Sequence, residues 1–223
     1  HDGLLEGVAQ VVISPGLSLA EPIAVEAGRR GLPVVGDIEL FAREAQAPIA
    51  AVTGTNGKST VTALLAELAN AAGRSAIAGG NLGEPALDLL EGPVPELYVL
   101  ELSSYQLETT RSLVTAVATV LNVTPDHLDR YDSLEDYAAA KASIFDGSEA
   151  AVVNRDDERV RAMPRCGQRV LDFSVRDPGA DYSLLRGAEP LLACRGEPLM
   201  PLSAMRLQGE HNAANALAAL AMC

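Results

Sequence analysis

The sequence predicts an α/β fold with a mainly parallel sheet. Short apolar runs typical of buried strands alternate along the chain with stretches that have helical apolar spacing. Glycine-containing turns follow several of these apolar runs, as they do where a strand leads into a helix. With 48% hydrophobic and 21% charged residues, the 223-residue chain also has the composition of a globular protein.

Residues 1–47 are predicted to form the end of a small Rossmann-like domain. The predicted order is strand, helix, strand, helix, at residues 9–16, 21–31, 32–36 and 37–45. Asp37 is a candidate N-cap for the last helix, because its carboxylate can accept a backbone N–H. Gln-Ala-Pro at residues 46–48 is a candidate domain boundary.

Residues 48–223 restart the alternation and predict a second domain with a parallel, helix-covered sheet. Its predicted strands cover residues 49–54, 75–80, 97–102, 116–123 and 150–154, and its predicted helices cover residues 58–72, 85–90, 134–145 and 209–223. Turn formers and short β-like pieces over residues 165–207 predict a small antiparallel addition. Because the chain starts without methionine and stops inside an alanine-rich helical pattern, we expect a fragment of a longer protein, with this domain incomplete.

Charge and composition argue against several classes of function. A net charge of −13 argues against binding of nucleic acid, which requires a basic face, but permits binding of a nucleotide. Three cysteines without CxxC spacing favour a reducing, cytoplasmic compartment over a disulfide framework or a zinc site. No apolar run approaches the roughly 20 residues of a membrane span, and no signal peptide opens the chain.

A glycine-rich turn between a predicted strand and a predicted helix indicates a phosphate site. Val52 stands where the longer P-loop pattern has its first glycine, but the shorter pattern GxxGKS is intact. Such a loop presents backbone N–H groups to phosphate, with a lysine for the outer phosphates and a serine hydroxyl for Mg²⁺. The predicted nucleotide-binding residues of this loop are Gly54, Thr55, Asn56, Gly57, Lys58, Ser59 and Thr60. The loop alone predicts ATP or GTP binding and no particular reaction.

Polar residues also follow other predicted strands. Glu101 ends an apolar run, where an acid is costly unless it is paired or binds a metal. Asp126, His127 and Asp129 follow another strand, and Lys141 lies on the next helix. These residues form either a second metal or substrate site, or a surface histidine beside a solvated lysine.

Two further segments contain amides at informative positions. Asn81 lies in the glycine-rich segment Gly-Gly-Asn-Leu-Gly at another strand end, where a substrate can approach closely. Asn212 and Asn215 stand at the start of the last predicted helix. Asn212 is either a simple helix cap or, with Asn215, a contact to the edge of a base.

Taken together, these motifs resemble those of the Mur ligases, the ATP-dependent amino-acid ligases of peptidoglycan precursor synthesis. The resemblance covers essentially the whole chain and rests on the segments TGTNGKST, GGNLG, ELSSYQLE, NVTPDHLDRY, AAKASIF and GEHNAANALAA, which occur in the family's order. Tyr105 replaces the phenylalanine that this family has in the third segment, which is a conservative change.

The resemblance implies a reaction and a domain organisation. The segments GDIELF, ELSSYQL and DHLDRY look like those of the family member that joins D-glutamate to UDP-N-acetylmuramoyl-L-alanine through an acyl phosphate. Residues 1–47 would then end a UDP-binding N-terminal domain, and residues 48–223 would form most of a central ATPase domain. A C-terminal domain would be absent, so we expect the fragment alone not to complete catalysis. We expect the enzyme to be a monomer.

The resemblance also implies roles for single residues. It implies catalytic roles for Lys58, Glu101, His127 and Lys141. Two Mg²⁺ ions would be held by Ser59, Glu101, His127 and Lys141, the last as a carbamate. Contacts to the muramoyl-alanine substrate would come from Asn81, Ser103, Gln106 and His127, and contacts to adenine from Asn212 and Asn215. The alternatives are another amino-acid ligase of the family, a different P-loop ATPase or kinase, and a nucleotide-binding module without activity.

Overall fold

The computed structural model describes residues 3–126 and 130–223. The described strands are β1 (Val11–Val12), β2 (Val34–Val35), β3 (Ile49–Thr53), β4 (Ala76–Gly80), β5 (Leu97–Glu101), β6 (Thr115–Val120), β7 (Ser148–Asn154), β8 (Arg169–Ser174), β9 (Tyr182–Leu185), β10 (Leu191–Cys194) and β11 (Glu197–Pro201). They form a short parallel pair, β1–β2, and a nine-stranded sheet in the order β11-β10-β9-β8-β7-β6-β3-β5-β4.

The helices are α1 (Pro22–Arg29), α2 (Asp37–Glu44), α3 (Lys58–Ala71), α4 (Ser104–Glu108), α5 (Leu134–Ala142), α6 (Glu158–Arg161) and α7 (Glu210–Met222). The longest of these, α3, has 14 residues. Over the described ranges, no helix combines the length and apolar character needed to cross a bilayer.

The large sheet is mainly parallel, as predicted. All pairings from β4 to β9 are parallel, and β10 and β11 add two antiparallel strands at one edge. The predicted antiparallel addition over residues 165–207 is confirmed for β9, β10 and β11, which pair antiparallel in this order, but it is wrong for β8, which pairs parallel with both β7 and β9. The local sequence identifies these segments as strands. It does not determine which strand each one pairs with, or in which direction, because the paired residues are far apart in the chain.

Strand β3 lies inside the sheet and is buried on both faces. Ile49 and Ala51 belong to one hydrophobic cluster, together with residues of α2, α4 and α5. Ala50 and Val52 belong to a second cluster, formed mainly with α3 and α7. This alternation follows from the two-residue period of a strand, and it explains why the predicted strand reads as one continuous apolar run.

Two local predictions are corrected by the structure. The predicted helix at residues 85–90 is reduced to a 3₁₀ turn at Asp88–Leu90. Asp37 is the first residue of α2 rather than its N-cap, which is Gly36. The Asp37 carboxylate instead accepts a hydrogen bond of 2.8 Å from Gln106 Nε2, a partner 69 positions away in the sequence. A distant donor therefore replaces the local capping bond.

Helix α2 connects the N-terminal residues to the large sheet. Ile38 and Phe41 of this helix are fully buried in the same cluster as Tyr98 of β5. These contacts cross the predicted domain boundary at residues 46–48, so they do not separate two domains there. The boundary stays a prediction. We refer below to residues 3–47 as the N-terminal unit.

Glu39 of α2 is a buried carboxylate that fixes the turn before β6. It accepts hydrogen bonds from the backbone N–H groups of Arg111 and Ser112, at 2.7 and 2.9 Å, and from the Ser112 hydroxyl at 2.9 Å. Arg43 adds a further bond one helical turn along α2. Burial raises the pKa of Glu39, but these hydrogen bonds outweigh it and lower the pKa to about 2.

Replacing Glu39 by alanine is expected to lower the free energy of unfolding of the chain by about 3 kcal/mol at pH 7, because buried N–H groups lose their acceptor. The folded pKa lies below the ordinary value of 4.5, so the ionised form stabilises the fold. The stabilisation should be complete above about pH 4.5 and disappear as the pH falls toward 2. Urea unfolding at several pH values measures this, with the exposed neighbour Glu44→Ala as control. A difference from wild type that does not shrink below pH 4.5 would contradict the assignment.

Candidate nucleotide and metal site

The predicted P-loop connects β3 to α3 at the carboxyl edge of the sheet. Gly57 precedes α3 with a left-handed backbone, φ +88°, and a Cβ at this position would lie 2.5 Å from Asn215 Oδ1. A side chain therefore cannot be accommodated there without displacement. The free backbone N–H groups of the first turn of α3, together with the helix dipole, make this end of the helix suited to bind an anion.

The first part of the loop is held by Asn122, which follows β6. Its amide mimics a backbone pair: the Asn56 N–H donates to Asn122 Oδ1 at 2.9 Å, and Asn122 Nδ2 donates to the Asn56 carbonyl at 3.0 Å. The Thr55 N–H donates to the Asn122 carbonyl at 3.0 Å. Phosphate would therefore meet the N–H groups that come after Asn56. Sequence reasoning missed Asn122, although a polar residue directly after a strand beside β3 was a usable signal.

We expect Asn122→Ala to weaken ATP binding to the chain about 30-fold, because two hydrogen bonds worth about 1 kcal/mol each no longer fix the loop. Calorimetric titration with Mg-ATP measures the affinity. Asn70→Ala is a matched control, since the Asn70 amide binds the backbone of Ala76 in the same two-sided way at the opposite end of α3. Equal effects of the two substitutions would show that only general stability is involved.

The two lysines of the site meet at one carbonyl oxygen. Lys58 Nζ donates to the Gly54 carbonyl at 3.1 Å and to the Thr55 carbonyl at 3.0 Å. Lys141 Nζ, from α5, donates to the same Gly54 carbonyl at 3.0 Å. The structure thus brings together two predicted catalytic residues that are 83 positions apart.

Lys141 is almost completely buried, with 1% of its surface exposed. Burial, and to a smaller extent the positive charge of Lys58, lower its pKa to about 7, although Asp126 acts in the opposite direction. Its Nζ also lies 4.5 Å from the centre of the Tyr137 ring. The burial of Lys141 excludes the alternative of a solvated surface lysine.

Glu101 and Asn81 form a second pair at the same sheet edge. Glu101 is the last residue of β5, pairs with Val52 in the neighbouring β3, and is 2% exposed. Its Oε1 accepts a hydrogen bond of 2.9 Å from Asn81 Nδ2. Gly80, at φ +114°, lets the end of β4 lie close to the backbone of Glu101, because a Cβ at this position would lie 2.3 Å from the Glu101 carbonyl oxygen. A buried carboxylate with one amide partner keeps further acceptor capacity for a cation or a donor.

The side chains near this edge fit an ion that is ligated mainly by oxygen. Among residues 3–126 and 130–223, no three histidine, cysteine, aspartate or glutamate side chains cluster as a complete metal site. Mg²⁺ does not need such a cluster, because it is usually held by one or two carboxylates together with phosphates and water. Glu101 and the exposed hydroxyl-bearing Ser59 offer oxygen ligands of this kind.

Ser103 and Gln106 form a reciprocal capping box at the start of α4. The Gln106 N–H donates to Ser103 Oγ at 3.2 Å, and the Ser103 N–H donates to Gln106 Oε1 at 3.0 Å. Gln106 Nε2 is the donor to Asp37 described above. Gln106 is 3% exposed, so both ends of its amide are bound within the protein.

A cavity of about 340 Å³ lies beside the P-loop. Its lining includes Asn56, Gly57, Thr60, His211, Asn212 and Asn215. The helix cap at this point is Gly209, and Asn212 Nδ2 donates to the Gln208 carbonyl at 2.8 Å, so Asn212 is not the N-cap of α7. The two predicted adenine-binding amides therefore lie at a cavity next to the phosphate loop.

The remaining predicted residues are those of the segment after β6, and the structure describes only part of this segment. His127 and Asp129 lie outside the described residues. Asp126 lies within them and close enough to Lys141 to raise its pKa. Of the predicted site residues, the P-loop, Glu101 and the amine of Lys141 therefore lie at the carboxyl edge of the sheet.

Comparison with known proteins identifies the family of the chain. Residues 52–223 match the family model described as the Mur ligase middle domain. The chain belongs to the Mur ligase family. This Mur ligase chain is 51% identical over 221 residues to the UDP-N-acetylmuramoylalanine–D-glutamate ligase of Nitrosococcus oceani, covering 98% of the chain and 49% of that protein. The ligase of the same name from Alcanivorax borkumensis is 51% identical over 220 residues, covering 99% of the chain and 49% of that protein.

The Mur ligase chain therefore spans about half the length of the curated relatives it matches. Among solved structures, it resembles a UDP-N-acetylmuramoyl-L-alanyl-D-glutamate–2,6-diaminopimelate ligase with a TM-score of 0.69. That alignment covers 96% of this chain and 57% of the other at 24% identity, and it supports the fold alone.

Proposed function

We propose that this chain is the nucleotide-binding half of a ligase that joins D-glutamate to UDP-N-acetylmuramoyl-L-alanine. The observation that carries the proposal is the meeting of Lys58 and Lys141 at the Gly54 carbonyl, at the sheet edge where β5 ends in Glu101. Relatives that bear the name of this ligase are 51% identical over nearly the whole chain, which supports the choice of amino acid.

The reaction makes an amide from a carboxylate and an amine. Because a carboxylate is a poor electrophile, ATP transfers its γ-phosphoryl group to it, which releases ADP and gives an acyl phosphate. The D-glutamate amine can then attack the acyl carbon and expel inorganic phosphate as the amide forms. Phosphoryl transfer requires in-line positioning and neutralisation of charge more than covalent help. Lys58 would neutralise the outer phosphates, and the N–H groups at the start of α3 would bind phosphate oxygens. The loop residues from Gly54 to Thr60 are in this proposal the phosphate-binding segment.

Two Mg²⁺ ions are proposed to complete the charge neutralisation. Ser59 and Glu101 would hold one, and the burial of Glu101 supports this role, because a buried carboxylate is costly without a positive partner. Lys141 and His127 would hold the other. Bound in this way, the ions would stabilise negative charge on the reacting oxygens.

Lys141 can be a ligand of a metal cation only after its own positive charge has been removed. The nitrogen lone pair of a neutral amine can attack carbon dioxide and form an N–C bond; loss of one N–H proton to solvent then gives a carbamate, which has the charge and the oxygen atoms of a carboxylate. The pKa of about 7 supports this modification, because it keeps a neutral fraction of the amine at neutral pH. We therefore propose that Lys141 acts as a carbamate.

Substrate contacts are proposed for Asn81, Ser103, Gln106 and His127. Asn81 has the strongest support, since it is exposed and hydrogen-bonded to Glu101. Gln106 is bound on both sides within the protein, so its role would be to fix Ser103 after Glu101 rather than to offer a free amide. Adenine would occupy the cavity that Asn212 and Asn215 line.

The rest of the proposed enzyme follows from the family. Residues 1–47 would belong to the UDP-binding domain and residues 48–223 to the central ATPase domain. D-glutamate would bind mainly to a C-terminal domain, in the part of the relatives' sequences that this chain does not cover. We propose a monomer that acts in the cytoplasm.

The proposal is tested by phosphate release from ATP in a full-length ligase that carries this sequence. Release should require both D-glutamate and UDP-N-acetylmuramoyl-L-alanine, and other amino acids should not replace D-glutamate. Release with a different amino acid would indicate another ligase of the family. ATP binding to the chain without any substrate-dependent release would indicate a nucleotide-binding module.

A further inference from the structure

Arg130 binds the N-terminal unit to the large sheet. Its guanidinium donates to the carbonyls of Pro15 and Leu17, at 3.0 and 3.2 Å, and to Glu108 Oε2 at 2.8 Å. The Arg130 and Glu108 side chains are only 15% and 18% exposed. The two carbonyls belong to the turn at residues 14–17, which is closed by a bond from the Leu17 N–H to the Ser14 carbonyl. The turn belongs to the N-terminal unit, and the largely buried ion pair between Arg130 and Glu108 lies outside that unit. The ion pair therefore binds the N-terminal unit through this turn.

The geometry of Arg130 is itself fixed by two tyrosines. Its guanidinium carbon lies 4.0 Å from the centre of the Tyr105 ring. The Tyr131 hydroxyl donates to Glu108 Oε1 at 2.5 Å, so both oxygens of Glu108 are engaged. Stacking and charge-assisted hydrogen bonds of this kind hold a planar guanidinium in one orientation. We call Arg130, Glu108, Tyr105 and Tyr131 the Arg130 clamp.

The clamp is continuous with the nucleotide and metal site. Tyr131 contacts both Tyr105 and Tyr137, with ring centres 6.1 and 5.2 Å apart. The Tyr137 hydroxyl lies 3.4 Å from Thr55 Oγ1 in the P-loop, and its ring lies against Lys141 Nζ. Packed side chains thus lead from the turn at residues 14–17 to the phosphate loop and to Lys141.

We propose that Arg130 is a positioning residue that sets the distance between the N-terminal unit and the ATP site. The inference rests on the proposed function, in which the N-terminal unit holds the UDP end of a substrate and its distant carboxylate is activated beside Lys58 and Lys141. A substrate held at both ends reacts efficiently only if the two holding sites keep a fixed separation, and a displacement of 1 Å can cost about 100-fold in rate. Arg130 acts through the turn and the tyrosines and does not itself touch the reacting atoms.

The test compares three variants of a full-length ligase that carries this sequence. Arg130→Ala should lower kcat/KM for the UDP-linked substrate at least 10-fold while the Kd for ATP stays within 2-fold of wild type. Arg130→Lys should be intermediate, because lysine keeps the charge but has no planar fork for three acceptors. Arg165→Ala is the matched control, since Arg165 also donates to one carboxylate, Asp146, and to two carbonyls, all outside the N-terminal unit. It should leave both quantities unchanged.

A second measurement on the chain itself does not depend on activity. In Arg130→Ala, amide hydrogen exchange at residues 14–20 should become at least 10-fold faster, whereas exchange in α3 should not change. If exchange at the turn is unchanged, or if Arg165→Ala lowers kcat/KM equally, the inference is overturned. If exchange accelerates but wild-type ligase shows no D-glutamate-dependent release, the proposed function fails and the clamp stands. Should Arg130→Ala not fold, Arg130→Lys and Glu108→Gln give the same two readouts.

Discussion

Replacing Lys58 by alanine in a full-length ligase that carries this sequence is expected to lower ATP-dependent ligation at least about 100-fold, the usual effect of losing one preorganised charge-stabilising group. Lys58 begins α3, and its ammonium already lies at the P-loop carbonyls of Gly54 and Thr55. It is therefore positioned at the helix end that would bind the phosphates. Phosphate release dependent on D-glutamate measures the loss.

The matched control for this prediction is Lys58→Arg, which keeps the positive charge but changes its shape. It should retain more activity than Lys58→Ala if neutralisation of charge is the main role. Thermal unfolding of both variants shows whether the fold survives. Normal ligation by Lys58→Ala would contradict the role assigned to this residue and to the loop.

Replacing Lys141 by alanine should lower ligation by a similar factor of about 100, for a different reason. Lys141 is buried and its amine faces the Gly54 carbonyl, so alanine leaves a cavity with the volume of the missing side chain and of the carbamate that we propose on it. Short carboxylic acids such as acetate or propionate can enter a cavity of this kind and supply the lost carboxylate. Partial recovery of activity with increasing acetate is therefore the expected result.

The specificity of this rescue decides its meaning. Lys58→Ala should not respond to acetate, because it lacks a cation rather than an anion. Lys141→Arg should be inactive with or without acetate, since it keeps a positive charge and cannot form a carbamate. If acetate fails to restore any activity to Lys141→Ala, the carbamate proposal loses its support.

The sequence predicted those parts of the fold that depend on local patterns. Strand β3 and helix α3 were identified by an apolar run and a phosphate-loop motif, which are both contained within 20 residues or so. The partners of β8 and β9 were not predictable in this way, because pairing joins residues far apart in the chain. Asp37 illustrates the same limit, since the donor to its carboxylate, Gln106, is on another helix.

The candidate site divides along the same line. The P-loop residues follow from their motif, and the role of Lys141 was implied by family resemblance, because a single lysine on a helix has no local signature. The structure adds what neither supplied: the burial of Lys141, the shared Gly54 carbonyl, and the amide of Asn122. These features depend on how β3, β6 and α5 pack together.

The shared carbonyl has a practical consequence for labelling the protein. Lys58 and Lys141 are the only lysines in the 223-residue sequence. All the other residues counted as Lys or Arg are arginines, which have no primary amine. Apart from the N-terminal amine, an amine-reactive reagent therefore finds its targets only at the candidate nucleotide site. Since Lys141 is 1% exposed, Lys58 should be acylated first, and bound ATP should protect it. Mass spectrometry of the acylated chain would then measure occupancy of the site without any substitution.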